Sequence, residues 1–230
     1  MPETTAKTTS IKTANESRYS RYKLPAAVAV LVIFHAVGFW GLLFSDDPAE
    51  FQSLTPLNLL LTNFLLFSFH KRWNVSFLVF ATVVMVAGFL AEVLGVHTGL
   101  LFGHYRYGAA LGVKVWEVPL LIGVNWLMLV YTTGHIANYT KLHWSLKAVL
   151  GAVLMVAYDF LMEPVAVKYD FWLWKNNEIP LSNFTGWLLL ALLLHLYFQR
   201  ANFFKKNALA SVVYGIQFVF FLGLYLSLNA

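Results

Sequence analysis

Seven long apolar runs, separated by short polar segments, form the main pattern along this 230-residue chain. Each run is close to the ~20 residues that a helix needs to cross the hydrocarbon core of a bilayer. None alternates with a period of two, and unpaired backbone groups cannot lie in lipid, so the runs predict helices rather than strands. The predicted spans are residues 24–44, 54–70, 74–96, 116–138, 145–166, 183–199 and 207–228. The pattern therefore predicts an all-α, polytopic membrane helix bundle with about seven transmembrane helices.

The first 23 residues differ from the rest because they are polar and rich in Thr and Ser. Such a segment cannot bury enough apolar surface to fold alone, so we predict a disordered polar tail over residues 1–23. The apolar run that follows is too long for a signal-peptide core and has no small-residue cleavage site after it. We therefore expect a retained anchor and a single transmembrane helical domain over residues 24–230.

Composition and charge agree with a membrane protein and predict its orientation. Charged residues make up 12% of the chain, about half the share of ordinary soluble domains. The net charge of +5 does not indicate nucleic-acid binding, because the basic residues lie in short loops between apolar runs. With the amino terminus inside, twelve of the 16 Lys and Arg residues lie on the inner side. This asymmetry predicts a cytoplasmic amino terminus and an outer carboxyl terminus.

Two acids lie deep in an apolar run, in the segment VAYDFLMEP. Asp159 and Glu163 are four residues apart, so a helix places them on one face about one turn apart. Glu92 lies about one turn inside the third span, toward the same outer side. Carboxylates inside spans are rare and mostly functional, so we predict that Asp159, Glu163 and Glu92 are catalytic. An ion pair with Arg106 or Lys168 is the structural alternative for Asp159.

Other polar and aromatic side chains near the outer boundary are candidates for substrate binding. They are Tyr105, Arg106, Tyr107, Glu117, Asn125, Trp172 and Asn183. An interfacial belt accounts for most of the aromatic residues, whereas a lining of ring faces would also stabilise a transient cation. Two of the polar candidates have structural alternatives. Glu117 begins a helix, where its charge suits the helix dipole, and the segment PLSN favours simple capping by Asn183.

Residue usage argues against a metal centre. Cysteine is absent, which excludes disulfides, thiolate ligands and cysteine nucleophiles. The seven His residues form no cluster with ligand spacing, so we expect no metal.

Gly88 and Gly95 are more typical of close helix packing than of a phosphate loop. No Gly-rich or dense aspartate motif for diphosphate is present.

The buried acids predict proton chemistry on an oily substrate. Hydrocarbon penalises the charged form of a carboxyl group, and two neighbouring carboxyl groups share one proton. An acid held protonated in this way can protonate an alkene, provided that aromatic rings and a carboxylate stabilise the resulting carbocation. The pattern therefore predicts a lipid-soluble, polyunsaturated substrate without phosphate.

Three segments resemble the signature blocks of the bacterial and archaeal carotenoid biosynthesis family of membrane proteins. They are AEVLGVHTGLLFGHYRYGAALGVKVWEVPLLIGVNW, YDFLMEPVAVKYDFWLW and IPLSNFTGWLLLALL. The resemblance extends over residues 80–200, in the order and spacing of the family. Tyr158-Asp159 and Glu163-Pro164 stand where the family typically has WD and DP, and Leu101 stands where it has a proline before FG.

The resemblance implies addition of water to the terminal double bond of an acyclic, lycopene-like carotenoid end group, giving a tertiary 1-hydroxy group. The best-known members of the family are hydratases of γ-carotene and of bisanhydrobacterioruberin. No cofactor is implied. The expected partners are the lipid-soluble carotenoid, membrane lipid and other carotenoid enzymes, in a bacterial cytoplasmic membrane. In this scheme Asp159 is the general acid, and Glu163 or Glu92 orients or deprotonates the water.

The same scheme gives roles to residues of the outer loops. Tyr105, Tyr107 and Trp172 would line the cation, and Arg106 would balance the charge of the carboxylates.

Other functions remain open on the sequence. A lycopene cyclase shares the protonation step, but an internal double bond captures the cation, so the product keeps the mass of the substrate. A prenyltransferase would need two aspartate-rich motifs with a divalent metal, and only one D-x-x-x-E is present. A non-catalytic carotenoid-binding protein would use the aromatic residues without the acids. A retinal photoreceptor is disfavoured because the last span has no lysine for a Schiff base.

Overall fold

The structure is a computed structural model, which describes the backbone of residues 3–228 and the side chains of residues 22–228. The helices are α1 (Glu3–Phe44), α2 (Pro48–Ser53), α3 (Thr55–Ser68), α4 (Val75–Thr98), α5 (Leu121–Asn138), α6 (Trp144–Lys168), α7 (Leu181–Arg200) and α8 (Ala210–Leu228). The strands are β1 (Tyr105–Tyr107), β2 (Lys114–Val115), β3 (Val118–Pro119) and β4 (Trp172–Trp174). The predicted all-α bundle is confirmed, and a helix overlaps each predicted span.

Within the described part of the chain, five helical segments are long and apolar enough to cross a membrane. They are Tyr22–Phe44 within α1, together with α4, α6, α7 and α8. Helix α3 has only 14 residues. The full count of seven spans, and the predicted orientation, therefore stay predictions. The predicted disordered tail over residues 1–23 falls almost entirely outside the residues whose side chains are described, and it stays a prediction as well.

Helix α5 lies at the centre of the bundle. All residues from Trp126 to His135 are buried, because α4, α6, α7 and α8 pack around them. Side chains such as Thr132 and Thr133 therefore face protein rather than lipid, where hydrogen-bond partners are available.

Small residues bring the helices close together at two points, the first of which lies beside the site. A side chain at Gly88 of α4 would meet Trp126 of α5 at 2.4 Å, and one at Gly151 of α6 would meet His195 of α7 at 2.2 Å. The predicted packing role of Gly88 is thus confirmed. It places the Trp126 indole one helical turn from Glu92 on the buried stripe of α4.

Two short antiparallel strands, which the sequence did not predict, join the loops at one end of the bundle. Strand β1 pairs with β4 so that Tyr105 faces Trp174 and Tyr107 faces Trp172. Gly108 follows β1, where a Cβ atom would meet the carbonyl oxygen of Asp170 at 1.8 Å. This close approach ties the loop after α4 to the loop after α6, over the ends of both helices that carry acids.

Candidate active site

The alternation of the β1–β4 pair decides which side chains reach the interior. Tyr105, Tyr107, Trp172 and Trp174 are all buried, whereas Arg106 between the two tyrosines is exposed. Successive side chains of a strand point to opposite faces, so both pairs of rings lie on one face of the ribbon. That face covers the acids of α4 and α6.

Glu92 ends the buried stripe of α4 and accepts three hydrogen bonds. Its Oε2 accepts from the hydroxyl groups of Tyr105, at 2.5 Å, and Tyr107, at 2.8 Å. Its Oε1 accepts from Nε1 of Trp126 at 3.1 Å. Burial, and after it the negative charge of Glu92, raises the pKa of both phenols, so they remain donors to the carboxylate.

Glu163 of α6 also accepts three hydrogen bonds, from a different set of donors. Its Oε2 accepts from Nε1 of Trp172 at 2.9 Å and of Trp174 at 2.7 Å. Its Oε1 accepts from Nδ2 of Asn183 at 2.9 Å. Every one of these bonds stabilises the ionised form of the carboxyl group.

Asp159 lies one turn before Glu163, is fully buried, and has a single hydrogen-bond partner. Its Oδ2 accepts from Nδ2 of Asn183 at 3.0 Å, so one amide nitrogen bridges the two acids of α6. Its Oδ1 has no hydrogen-bond partner among residues 22–228, whose side chains are described. An unpaired carboxyl oxygen in a dry interior favours the neutral form, because isolated buried charge is costly.

The three acids, hereafter the acid cluster (Glu92, Asp159 and Glu163), have no cationic partner among the side chains that the structure describes. In the part of the chain whose side chains are described, the one salt bridge joins His97 to Glu117 at 4.0 Å. The predicted ion-pair alternative for Asp159, with Arg106 or Lys168, is therefore wrong. Aromatic N–H and O–H groups and one amide take the place of a counter-charge.

A large apolar cavity of about 260 Å³ lies beside the acid cluster, between α1, α3, α5, α6 and α8. Phe34 and Val37 of α1 and Leu54 and Leu57 at α3 line it, although all four are about half exposed or more. The cavity therefore opens sideways between α1 and α3, toward the side where lipid would lie.

A small second cavity of about 20 Å³ adjoins the large one. Glu92 and Glu163 line it, together with the aromatic residues that donate to them. Ile122, Asn125, Met162 and Trp172 line both cavities. Asp159 lines neither, so the two glutamates are the acids that face open space.

Most of the predicted site residues come together. They form one group of two hydrogen-bonded sets beside the small cavity: Glu92 with Tyr105 and Tyr107, and Asp159 and Glu163 with Trp172 and Asn183. Asn125 lines the cavities beside this group. Simple capping by Asn183 is wrong: α7 has no side-chain cap bond at its start, and the amide donates to the acids instead.

Two predicted residues do not reach the group. Arg106 is exposed because it occupies the outer face of β1, so its predicted place among the carboxylates is wrong. The Glu117 side chain is 73% exposed and lies near His97, in a turn with a left-handed backbone. The structure therefore places neither at the cavity.

Sequence reasoning missed three tryptophans. Trp126 and Trp174 donate directly to the glutamates, and Trp187 stacks on Trp126 with ring centroids 4.5 Å apart. The useful pattern was the three-residue alternation in YRY and WLW, and the position of Trp126 one turn past Ile122 on the innermost helix. Among the described residues, no group of three or more His, Asp or Glu side chains has an arrangement that could hold a metal ion.

Comparison with known proteins identifies the family of this chain. Bisanhydrobacterioruberin hydratase from Haloarcula japonica is 30% identical over 111 residues, which cover 43% of this chain and 36% of the hydratase. The chain thus matches only about a third of that relative's length. No solved structure matches it. The family model described as carotenoid biosynthesis protein matches residues 54–229, more than half of the chain and the whole acid cluster. The chain belongs to the carotenoid biosynthesis protein family.

Proposed function

We propose that this membrane protein is an acid-catalysed carotenoid hydratase. It adds water to the terminal double bond of an acyclic, lycopene-like end group and produces a tertiary 1-hydroxy group without a cofactor. The observation that carries the proposal is the acid cluster: three buried carboxyl groups without a cationic partner, beside an apolar cavity that opens sideways. The similarity to a hydratase supports the same reaction.

The proton comes from the pair formed by Asp159 and Glu163, which holds one proton in the resting state. Asp159 stores it, because its Oδ1 has no donor to stabilise a charge. Glu163 shares Asn183 with Asp159 and lines the small cavity, so it presents the proton to the substrate. The sequence assigned this delivery to Asp159, whereas the arrangement favours Glu163 with Asp159 behind it.

The carbocation formed next needs negative charge and ring faces close by. Glu92 supplies the charge, because three donors hold it in the ionised form. The face of Trp172 lines both cavities and can contact the cation. These groups are fixed before the reaction by the β1–β4 pair, and fixed groups of this kind stabilise a transition state most effectively.

The large cavity fits one end of the substrate rather than all of it. Its ~260 Å³ lies just below the range of about 300–1,000 Å³ that holds a drug-sized molecule. The end group would occupy the cavity, and the rest of the polyene would leave between α1 and α3 into lipid. We propose the bacterial cytoplasmic membrane as the location, with the amino terminus inside.

Expression in cells that accumulate lycopene tests the proposal. We expect pigments heavier by one or two waters, identified by chromatography and mass spectrometry, and their oxygen should derive from H₂¹⁸O. The variant Asp170→Asn is a matched control, since this exposed acid lies at the same end of the bundle. Products with unchanged mass would favour a cyclase instead, for which the apolar lining of the large cavity is the supporting observation. Unchanged pigments would favour a binding protein.

A further inference from the structure

The small cavity has the properties of a site for a single water molecule. Such a site needs roughly 10–15 Å³ of space and two to four polar partners. The cavity offers about 20 Å³, and the carboxyl groups of Glu92 and Glu163 line it. It is far too small for a whole carotenoid end group, whereas a single water molecule fits it.

Both glutamates keep one oxygen that can accept a further hydrogen bond. A carboxylate oxygen accepts about two bonds. Oε2 is filled in each case, by two phenols in Glu92 and by two indoles in Glu163. Oε1 accepts only from Trp126 in Glu92 and only from Asn183 in Glu163. A water molecule has two hydrogens to donate, one for each free position.

Asn125 lies where the two cavities meet. It lines both of them, yet its amide makes no hydrogen bond to any residue whose side chain is described. It is also only partly buried, so both its donor and its acceptor face open space. A polar side chain in an otherwise apolar wall needs a partner, and a water in the small cavity would provide one.

We propose that the small cavity binds the nucleophilic water and that Asn125 directs the oxygen of this water toward the end group in the large cavity. This rests on the proposed hydration. The water oxygen forms a bond to the tertiary cation, one O–H bond breaks, and the proton returns to the Asp159–Glu163 pair. Because the pair regains the proton that it gave to the alkene, the cycle needs no further reactant.

The proposal makes Asn125 a positioning residue that determines the product. If the water is misplaced, the cation still forms but reacts in another way. It loses a neighbouring proton or is captured by an internal double bond, and either product has the mass of the substrate. The ratio of hydrated to isomeric product therefore reports on the water site, separately from the rate of protonation.

The test compares Asn125→Leu with wild type in membranes supplied with an acyclic carotene. We expect the ratio of hydrated to isomeric product to fall about tenfold, the effect of losing one hydrogen bond to a reacting group. Total consumption of carotene should stay within a few-fold. Asn138→Leu is the matched control, because Asn138 is also a partly buried asparagine of α5 but lines neither cavity. It should leave the ratio unchanged.

Asn125→Ser keeps a hydrogen-bonding group and should retain more of the wild-type ratio, and it decides the matter if the leucine variant does not accumulate. An unchanged ratio in these variants, or an equal fall in Asn138→Leu, would overturn the water site while leaving hydration intact. A wild-type protein that never yields a hydrated product would instead refute hydration, and the water site with it.

Discussion

Two buried polar clusters lie at opposite ends of the bundle, and they differ in charge and in what surrounds them. Two residues of the acid cluster line the small cavity, and one carboxyl oxygen of the cluster has no hydrogen-bond partner among the described side chains. The imidazole cluster (His70, His135 and His195) lies at the other end and lines neither cavity. Both are almost completely buried, so burial alone does not distinguish them.

The hydrogen bonds explain the difference. Nδ1 of His70 bonds the hydroxyl group of Tyr131. Nδ1 of His135 bonds a backbone carbonyl of α5, and Nδ1 of His195 bonds a backbone carbonyl of α7. Neutral imidazole has one donor and one acceptor, so these rings need no counter-charge. The acid cluster instead collects six N–H and O–H donors around two glutamates and leaves Asp159 nearly unsupported. The imidazole cluster joins helices, whereas the acid cluster places carboxyl groups beside open space.

Neutralising the acids of α6 should have the largest effect on turnover. We expect Asp159→Asn and Glu163→Gln each to lower turnover by ~100-fold or more, since a positioned general acid contributes about that factor. Both changes nearly preserve volume. Turnover is measured as hydrated carotenoid formed per folded protein, with Asp170→Asn as the control. Wild-type turnover in either variant would contradict the proton assignment.

Glu92→Gln should have the next largest effect. It removes the charge that stabilises the cation but leaves the proton donor in place, and we expect a ~100-fold loss of turnover. The amide would also clash with donors from Tyr105 and Tyr107, so the amount of folded protein must be measured in parallel. Full activity in well-folded Glu92→Gln would mean that the cation forms elsewhere.

Removing one indole donor should have a smaller effect. Trp174→Phe deletes one bond to Glu163, and we expect about a tenfold loss of turnover, the value of one bond to a charged group. Trp116→Phe is the matched control because Trp116 is 62% exposed at the same end of the bundle. Equal losses in both variants would show that only general packing is disturbed.

The imidazole cluster should respond in stability rather than in turnover. Thr133→Val deletes the 2.7 Å bond to His195 and leaves a buried ring nitrogen unpaired, which costs ~1–3 kcal/mol of unfolding free energy. Thermal unfolding in detergent measures this, with the exposed Thr98→Val as the control. A loss of turnover per folded protein would remove the distinction between the two clusters.

Much of the fold followed from hydropathy, because each long helix carries an apolar run. The acids of α6 were also predictable, since a four-residue spacing on a helix fixes one face. The β1–β4 pair was not, because the alternation in a three-residue strand is too short to predict its partner, and the pairing joins residues far apart in sequence. The donors to Glu92 and Glu163, and the exposure of Arg106, depend on that pairing. The bridging role of Asn183 was hidden by a local capping pattern.

Reaction in D₂O shows directly whether a proton from the acids of α6 adds to a carbon atom of the substrate. Isolated membranes would convert acyclic carotene in D₂O, and mass spectrometry would count the deuterium that survives washing in ordinary water. We expect one carbon-bound deuterium for each water added, and ~100-fold less labelled product from Asp159→Asn membranes. Hydroxylated product without carbon-bound deuterium would contradict it.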